Sequence, residues 1–146
     1  MNRGLILAAL LLVPVAPAAA LEFGSTARAA VLYDAPSTAG SKVAVASAGV
    51  PFERLFDSGA WVKVRGPDGR LAWIEQDALG GDRTVLVKRG TVTVWRQPSK
   101  DAEAVFRARA GVVLKLTGKA DAYGWLPVQH PDGLAGWIPA SEVWGQ

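Results

Sequence analysis

The chain contains no cysteine, one histidine and one methionine among its 146 residues. Without cysteine there can be no disulfide, no thiolate nucleophile, no thiolate metal site and no lipid attachment through sulfur. A single imidazole excludes a histidine-rich metal cluster and a His–His proton relay. Beyond residue 20 there is no apolar run long enough to span about 30 Å of hydrocarbon, and no helical period is sustained over three turns. What is abundant is glycine (16), proline (9) and tryptophan (6), with half the residues hydrophobic. That composition suits many short strands and turns rather than long helices. The formal charge is +3 and the pI near 9.5, a mild basic bias. The length allows one ordinary domain or two very small ones. A unit of about 60 residues without covalent staples has a thin core, so two units leaning on each other would be a natural remedy.

Residues 1–20, "MNRGLILAALLLVPVAPAAA", form an address. Arg3 and the α-amino group supply the positive start. Gly4 to Val13 is apolar, Pro14 and Pro17 break the run, and Ala18-Ala19-Ala20 offers small residues to a signal peptidase. This is the pattern of a cleaved export signal, and the apolar run is short for a membrane anchor. Cleavage after Ala18 or Ala20 would leave an exported, periplasmic or secreted chain with no transmembrane segment.

The remainder is one unit written twice. "WVKVRGPDGRLAWIEQDAL" (61–79) aligns with "WLPVQHPDGLAGWIPASEV" (125–143) at a constant offset of 64. Upstream, "VLYDAPS" (31–37) aligns with "TVWRQPS" (93–99) at an offset of 62, so the second copy holds a two-residue insertion between about 114 and 124. The units run near 25–80 and 83–146, joined at Gly80-Gly81-Asp82. Alternating or apolar runs at Lys42–Ala46, Pro51–Phe56, Trp61–Arg65, Leu71–Ile74, Thr91–Trp95 and Val112–Thr117 have strand length. Pro67-Asp68-Gly69 and its copy Pro131-Asp132-Gly133 predict hairpin turns: proline presets φ, aspartate bonds its own backbone, and glycine takes positive φ. Arg83–Lys88 reads as an extra strand with no clear counterpart early in the first unit.

The repeated pattern W-x-x-V-x-x-P-D-G-x-x-x-W-I, preceded by a strand ending in Pro-Ser, resembles the bacterial SH3-like domains of exported and cell-envelope proteins. It occurs twice and covers nearly all of the chain after residue 24. The resemblance implies an all-β fold of two small five-stranded barrels in tandem, with few open edges. "AAVLYDAPS" (29–37) also resembles the opening strand of eukaryotic SH3 domains, whose tyrosines line a groove for proline-rich peptides. By that likeness the groove positions are Tyr33 and Trp61 in the first unit and Trp95, Trp125 and Pro139 in the second. Glu75 stands where the groove proline belongs, and Ala78 and Glu142 stand where its last tyrosine belongs. Proline recognition needs slots between stacked rings, so neither unit holds the full set. Neither shows an evident acidic cluster to meet an arginine-bearing proline motif.

Tyr33, Trp61, Trp95, Trp125 and Pro139 are therefore the ligand-binding candidates, with packing an equal alternative for the four aromatics. Trp73 and Trp137, each before isoleucine, are expected in the core or in hairpin packing, and Trp144 at the end of the barrel or between the units. By count, residues 25–80 carry 6 basic and 6 acidic side chains and residues 81–146 carry 9 and 6. The excess in the second unit lies on a solvated surface or faces an anionic partner. His130 has no nucleophile or orienting partner in its context, and Asp57, Asp121, Asp68 and Asp132 recur as turn formers. The expectation is a non-catalytic protein with no metal and no cofactor. It would bind cell-wall glycan or its peptide stems, or, alternatively, act as an adaptor for another envelope protein, with no nucleic-acid partner.

Overall fold

The computed structural model describes residues 20–146; the expected export signal lies outside the described residues apart from Ala20. Among the described residues there are thirteen strands: β1 (Glu22–Ser25), β2 (Ala30–Tyr33), β3 (Lys42–Ala46), β4 (Pro51–Ser58), β5 (Trp61–Arg65), β6 (Leu71–Glu75), β7 (Thr84–Val87), β8 (Thr91–Trp95), β9 (Ala104–Arg109), β10 (Val113–Leu116), β11 (Trp125–Gln129), β12 (Ala135–Pro139) and β13 (Val143–Trp144). Short 3-10 turns, Gln76–Ala78 and Ala140–Glu142, follow β6 and β12.

The strands form two sheets, ordered β1-β4-β5-β6-β2-β3 and β13-β7-β10-β11-β12-β8-β9. The second order repeats the first, strand for strand, with β13 added. All pairings are antiparallel, as short connections demand. The all-β, two-unit architecture is the one the repeat implied, but each sheet exceeds five strands. The missed member is β1. It lies at an offset of 62 from β7, so the apparently unmatched strand at Arg83–Lys88 has its counterpart in Glu22–Ser25. "EFGS" carries no apolar alternation to announce a strand; its pairing with β4 makes it one.

Each sheet wraps its own core. In the first, Leu32, Phe52, Val62, Val64, Ala72 and Ile74 are buried together; in the second, Val94, Leu114, Leu126, Val128 and Ile138. Alternation within the strands decides which side chains enter. Val62 and Val64 point inward, so Trp61, Lys63 and Arg65 share the outer face. The Pro-Asp-Gly turns form as expected. Gly69 and Gly133 have φ of 82° and 97°, and Asp68 and Asp132 accept backbone N–H bonds from Arg70 and Leu134 at 3.0 Å. Asp121 likewise accepts from the backbone of Tyr123 and Trp125. Asp57 departs from the expectation: it lies within β4, where Arg54 donates to both its oxygens.

The two units meet through β1 and β4 on one side and β7 and the C-terminal segment on the other. The Thr84 hydroxyl donates to the Gly49 carbonyl at 2.6 Å, and the Thr84 N–H donates to Ser25 Oγ at 3.1 Å. With the Thr84 proton so engaged, the Ser25 hydroxyl donates to Thr84 Oγ1 at 2.8 Å. Both residues are buried, so each bond replaces one to water. Trp144 closes the joint: its indole N–H donates to the Pro51 carbonyl at 3.2 Å, and its ring meets Phe23 edge to face. This is the interface role expected of it.

Candidate functional site

Trp73 and Trp137 are not in the cores. Ile74 and Ile138 are fully buried, and in a strand of period two the preceding residue must face outward. The consequence is a set of aromatic side chains on one outer face of the first unit. Cα pairing places Tyr33 opposite Trp73, Trp73 opposite Lys63, and Lys63 opposite Phe56, in a row across four strands. Trp61 lies two residues from Lys63 on the same face of β5. Tyr33 and Trp61 meet edge to face with centroids 5.4 Å apart, and Phe56 and Trp73 do so at 5.3 Å. Lys63 Nζ lies 5.5 Å from the centroid of Trp73, within cation–π range. Tyr33 is the buried member, at 8% exposure; Phe56 is 54% exposed, and Trp61 and Trp73 are partly covered.

Trp61 also borders a shallow depression of about 450 Å³, lined by Ala60, Glu75, Gln76 and Asp77. The 3-10 turn brings Asp77 beside Glu75, and Arg28 bridges them at 2.7 and 3.5 Å. The groove of the first unit therefore has two carboxylates at its rim, with Arg28 as the one countercharge between them. Glu75 and Asp77 are separated by one residue in a segment that reads as plain strand end, and only the turn gathers them. Trp61 with a carboxylate pair can take a positively charged or amide-bearing ligand, with the ring face as the shelf.

The second unit repeats the scaffold and changes its chemistry. Trp95 is opposite Trp137, Trp137 opposite Pro127, and Trp125 opposite Pro139; all five are partly buried. Among the described residues, no ring–ring contact joins Trp95 to Trp125 as Tyr33 joins Trp61. Pro127 replaces Lys63, Pro139 replaces Glu75 and Ser141 replaces Asp77, so these three positions carry no charge. Gly136 allows the close approach of β8 to β12: a Cβ there would lie 2.5 Å from the Trp95 carbonyl oxygen.

Of the candidate residues, the fold thus brings Tyr33 and Trp61 together, and Trp125 and Pro139 as strand neighbours, while Trp95 is joined to them through Trp137. Trp73, Trp137, Phe56 and Lys63 belong to the same faces and were missed. The buried isoleucine following each tryptophan was the available signal. His130 sits at a turn, with Nδ1 2.9 Å from Asp132 Oδ1, and among the described residues no cluster of metal-ligating side chains is present.

Comparison with known proteins gives the class. A model of the family described as "Bacterial SH3 domain" matches residues 26–81 and again 88–145. The chain belongs to that family, as two tandem domains. No curated protein sequence matches it. Among solved structures it is similar to NlpC2 from Trichomonas vaginalis, with 12% identity and a TM-score of 0.40, over 87% of this chain and 49% of that one. It is also similar to NlpC1 from the same organism, with 12% identity and a TM-score of 0.39, over 96% and 51%. The chain spans about half the length of these proteins.

Proposed function

We propose that the protein is a non-catalytic, exported binding module of the cell envelope whose outer aromatic faces engage peptidoglycan through its peptide stems. The observation that carries this reading is the repeated outward placement of aromatics: Phe56, Trp61 and Trp73 in one unit, Trp95, Trp125 and Trp137 in the other. A thin-cored barrel that keeps three large aromatic side chains per unit partly exposed, rather than in its core, suits stacking against sugar rings and peptide planes. Beside the first face, Glu75 and Asp77 share one countercharge, Arg28, and the negative charge left over suits the free amine of a stem peptide. Two sites on one chain with a short joint would add their affinities by effective concentration. Among the described residues no helix is long and apolar enough to cross a membrane.

The test is tryptophan fluorescence during titration with soluble muropeptides. A saturable change is expected with fragments that carry a stem peptide. It should be lost in the Trp61→Ala, Trp125→Ala double variant and kept in Trp144→Phe. No change with any fragment would reject the ligand class.

A further inference from the structure

The two units differ most at one place where their backbones agree. In the second unit, Phe106 on β9 is opposite Val94 on β8, and its ring packs on the core and against the His130 ring, with centroids 5.6 Å apart. In the first unit the equivalent positions are Ala44, opposite Leu32, and Gly66 in place of His130. Both rings are thereby reduced to almost nothing. What results is an open apolar cavity of about 500 Å³, lined by Leu32, Ala44, Ala46, Phe52, Leu71 and Ala72 among others. Its mouth lies along β3, an edge strand whose residues Lys42 to Val45 are all exposed, with Val45 73% and Leu71 52% exposed at the rim.

We propose that this cavity is a peptide-binding site that takes one phenylalanine-sized apolar side chain of an extended segment lying along β3. The second unit shows which group the site accepts, because there the chain supplies it as Phe106. The mode of approach follows from the edge. β3 has one strand neighbour, so its far side offers backbone donors and acceptors that a segment from another protein can pair with. Charge restricts the partner further. At the rim Arg70 is neutralised by Asp68 at 2.7 Å, whereas Lys42 at the start of β3 has no ion-pair partner among the described residues, so the segment is neutral or places an acidic group beside Lys42. The site lies apart from the aromatic face, on the side of the barrel where Ala44 and Ala46 turn toward the core. It would therefore let the module hold a protein partner while the aromatic faces hold cell wall.

The experiment is an amide chemical-shift titration of the chain lacking residues 1–20, using the blocked peptide acetyl-Thr-Thr-Phe-Thr-Glu-amide and its alanine analogue. Saturable shifts at Val43 to Ser47 and Leu71 are expected with the first, and binding weaker by on the order of tenfold with the second. Ala44→Phe should raise the melting temperature by filling the cavity and should abolish the shifts, whereas Trp61→Ala should leave them in place. If that variant does not fold, the two peptides on the unsubstituted chain still decide. Equal shifts with both peptides, shifts elsewhere, or none would overturn the proposal.

Discussion

The indole N–H of Trp144, near the end of the chain, donates to the carbonyl of Pro51 at 3.2 Å, so the last strand of the second unit is fastened to the first strand of the other unit's central hairpin. Phe23 meets the same ring edge to face, with centroids 5.2 Å apart. Gly145 completes the approach: with φ of 112°, it lies where a Cβ would come within 2.8 Å of Pro51. Two thin cores are thus joined by a specific seam rather than by a loose linker. Trp144→Ala should cost about 2–4 kcal/mol in urea denaturation, and Trp144→Phe, which keeps the ring and loses the bond, about 1 kcal/mol. A single cooperative transition in the parent chain should broaden or split in the alanine variant.

Gly136 is the most constrained glycine of the second barrel. Gly136→Ala would force its Cβ against the Trp95 carbonyl and the Val94 side chain. A loss of about 2 kcal/mol is expected in thermal or urea unfolding, with local displacement of β8. The corresponding Ala72 of the first unit is already a buried alanine, so the two barrels differ in how closely these strands meet.

The two Pro-Asp-Gly turns carry a pH dependence. The Arg70 backbone N–H holds the Asp68 carboxyl below its ordinary value, and the Leu134 N–H does the same for Asp132. Because each folded-state value is depressed, the stabilisation is fully present above the unfolded value near 4 and is lost as pH falls through the lower folded value. Melting temperature should therefore decline on acidification below about pH 4. Asp68→Asn with Asp132→Asn, which keeps an accepting oxygen in each turn, should flatten that decline. An unchanged acid limb would count against the assignment.

The acidic rim beside Trp61 predicts how salt acts on binding. Glu75→Gln with Asp77→Asn should weaken an amine-bearing stem peptide by roughly tenfold at low ionic strength and much less at high salt. Acetylating the peptide amine should mimic the double variant. The second unit, with Pro139 and Ser141 at these positions, should be indifferent to both changes.

Much of this was readable from the chain alone. The offset of 64 between Trp61 and Trp125, and the two Pro-Asp-Gly turns, carry the tandem architecture because turn chemistry is local. The faces were less legible. Trp73 and Trp137 invite a core reading by their bulk, yet the isoleucine after each occupies the inward position, and alternation overrides size. β1 was hidden because a four-residue strand gains its identity from β4, not from its own composition. The pairing of Glu75 with Asp77 depends on a 3-10 turn, and the cavity at Ala44 depends on comparing register between β3 and β9. Both are tertiary facts that no single segment encodes.

The most direct measurement is co-sedimentation of the chain lacking residues 1–20 with purified peptidoglycan sacculi, set beside a Trp61→Ala, Trp125→Ala double variant shown to be folded. Aromatic faces that engage the cell wall predict retention of the unsubstituted protein in the pellet and release of the double variant into the supernatant. No retention, or equal retention of both, would contradict them.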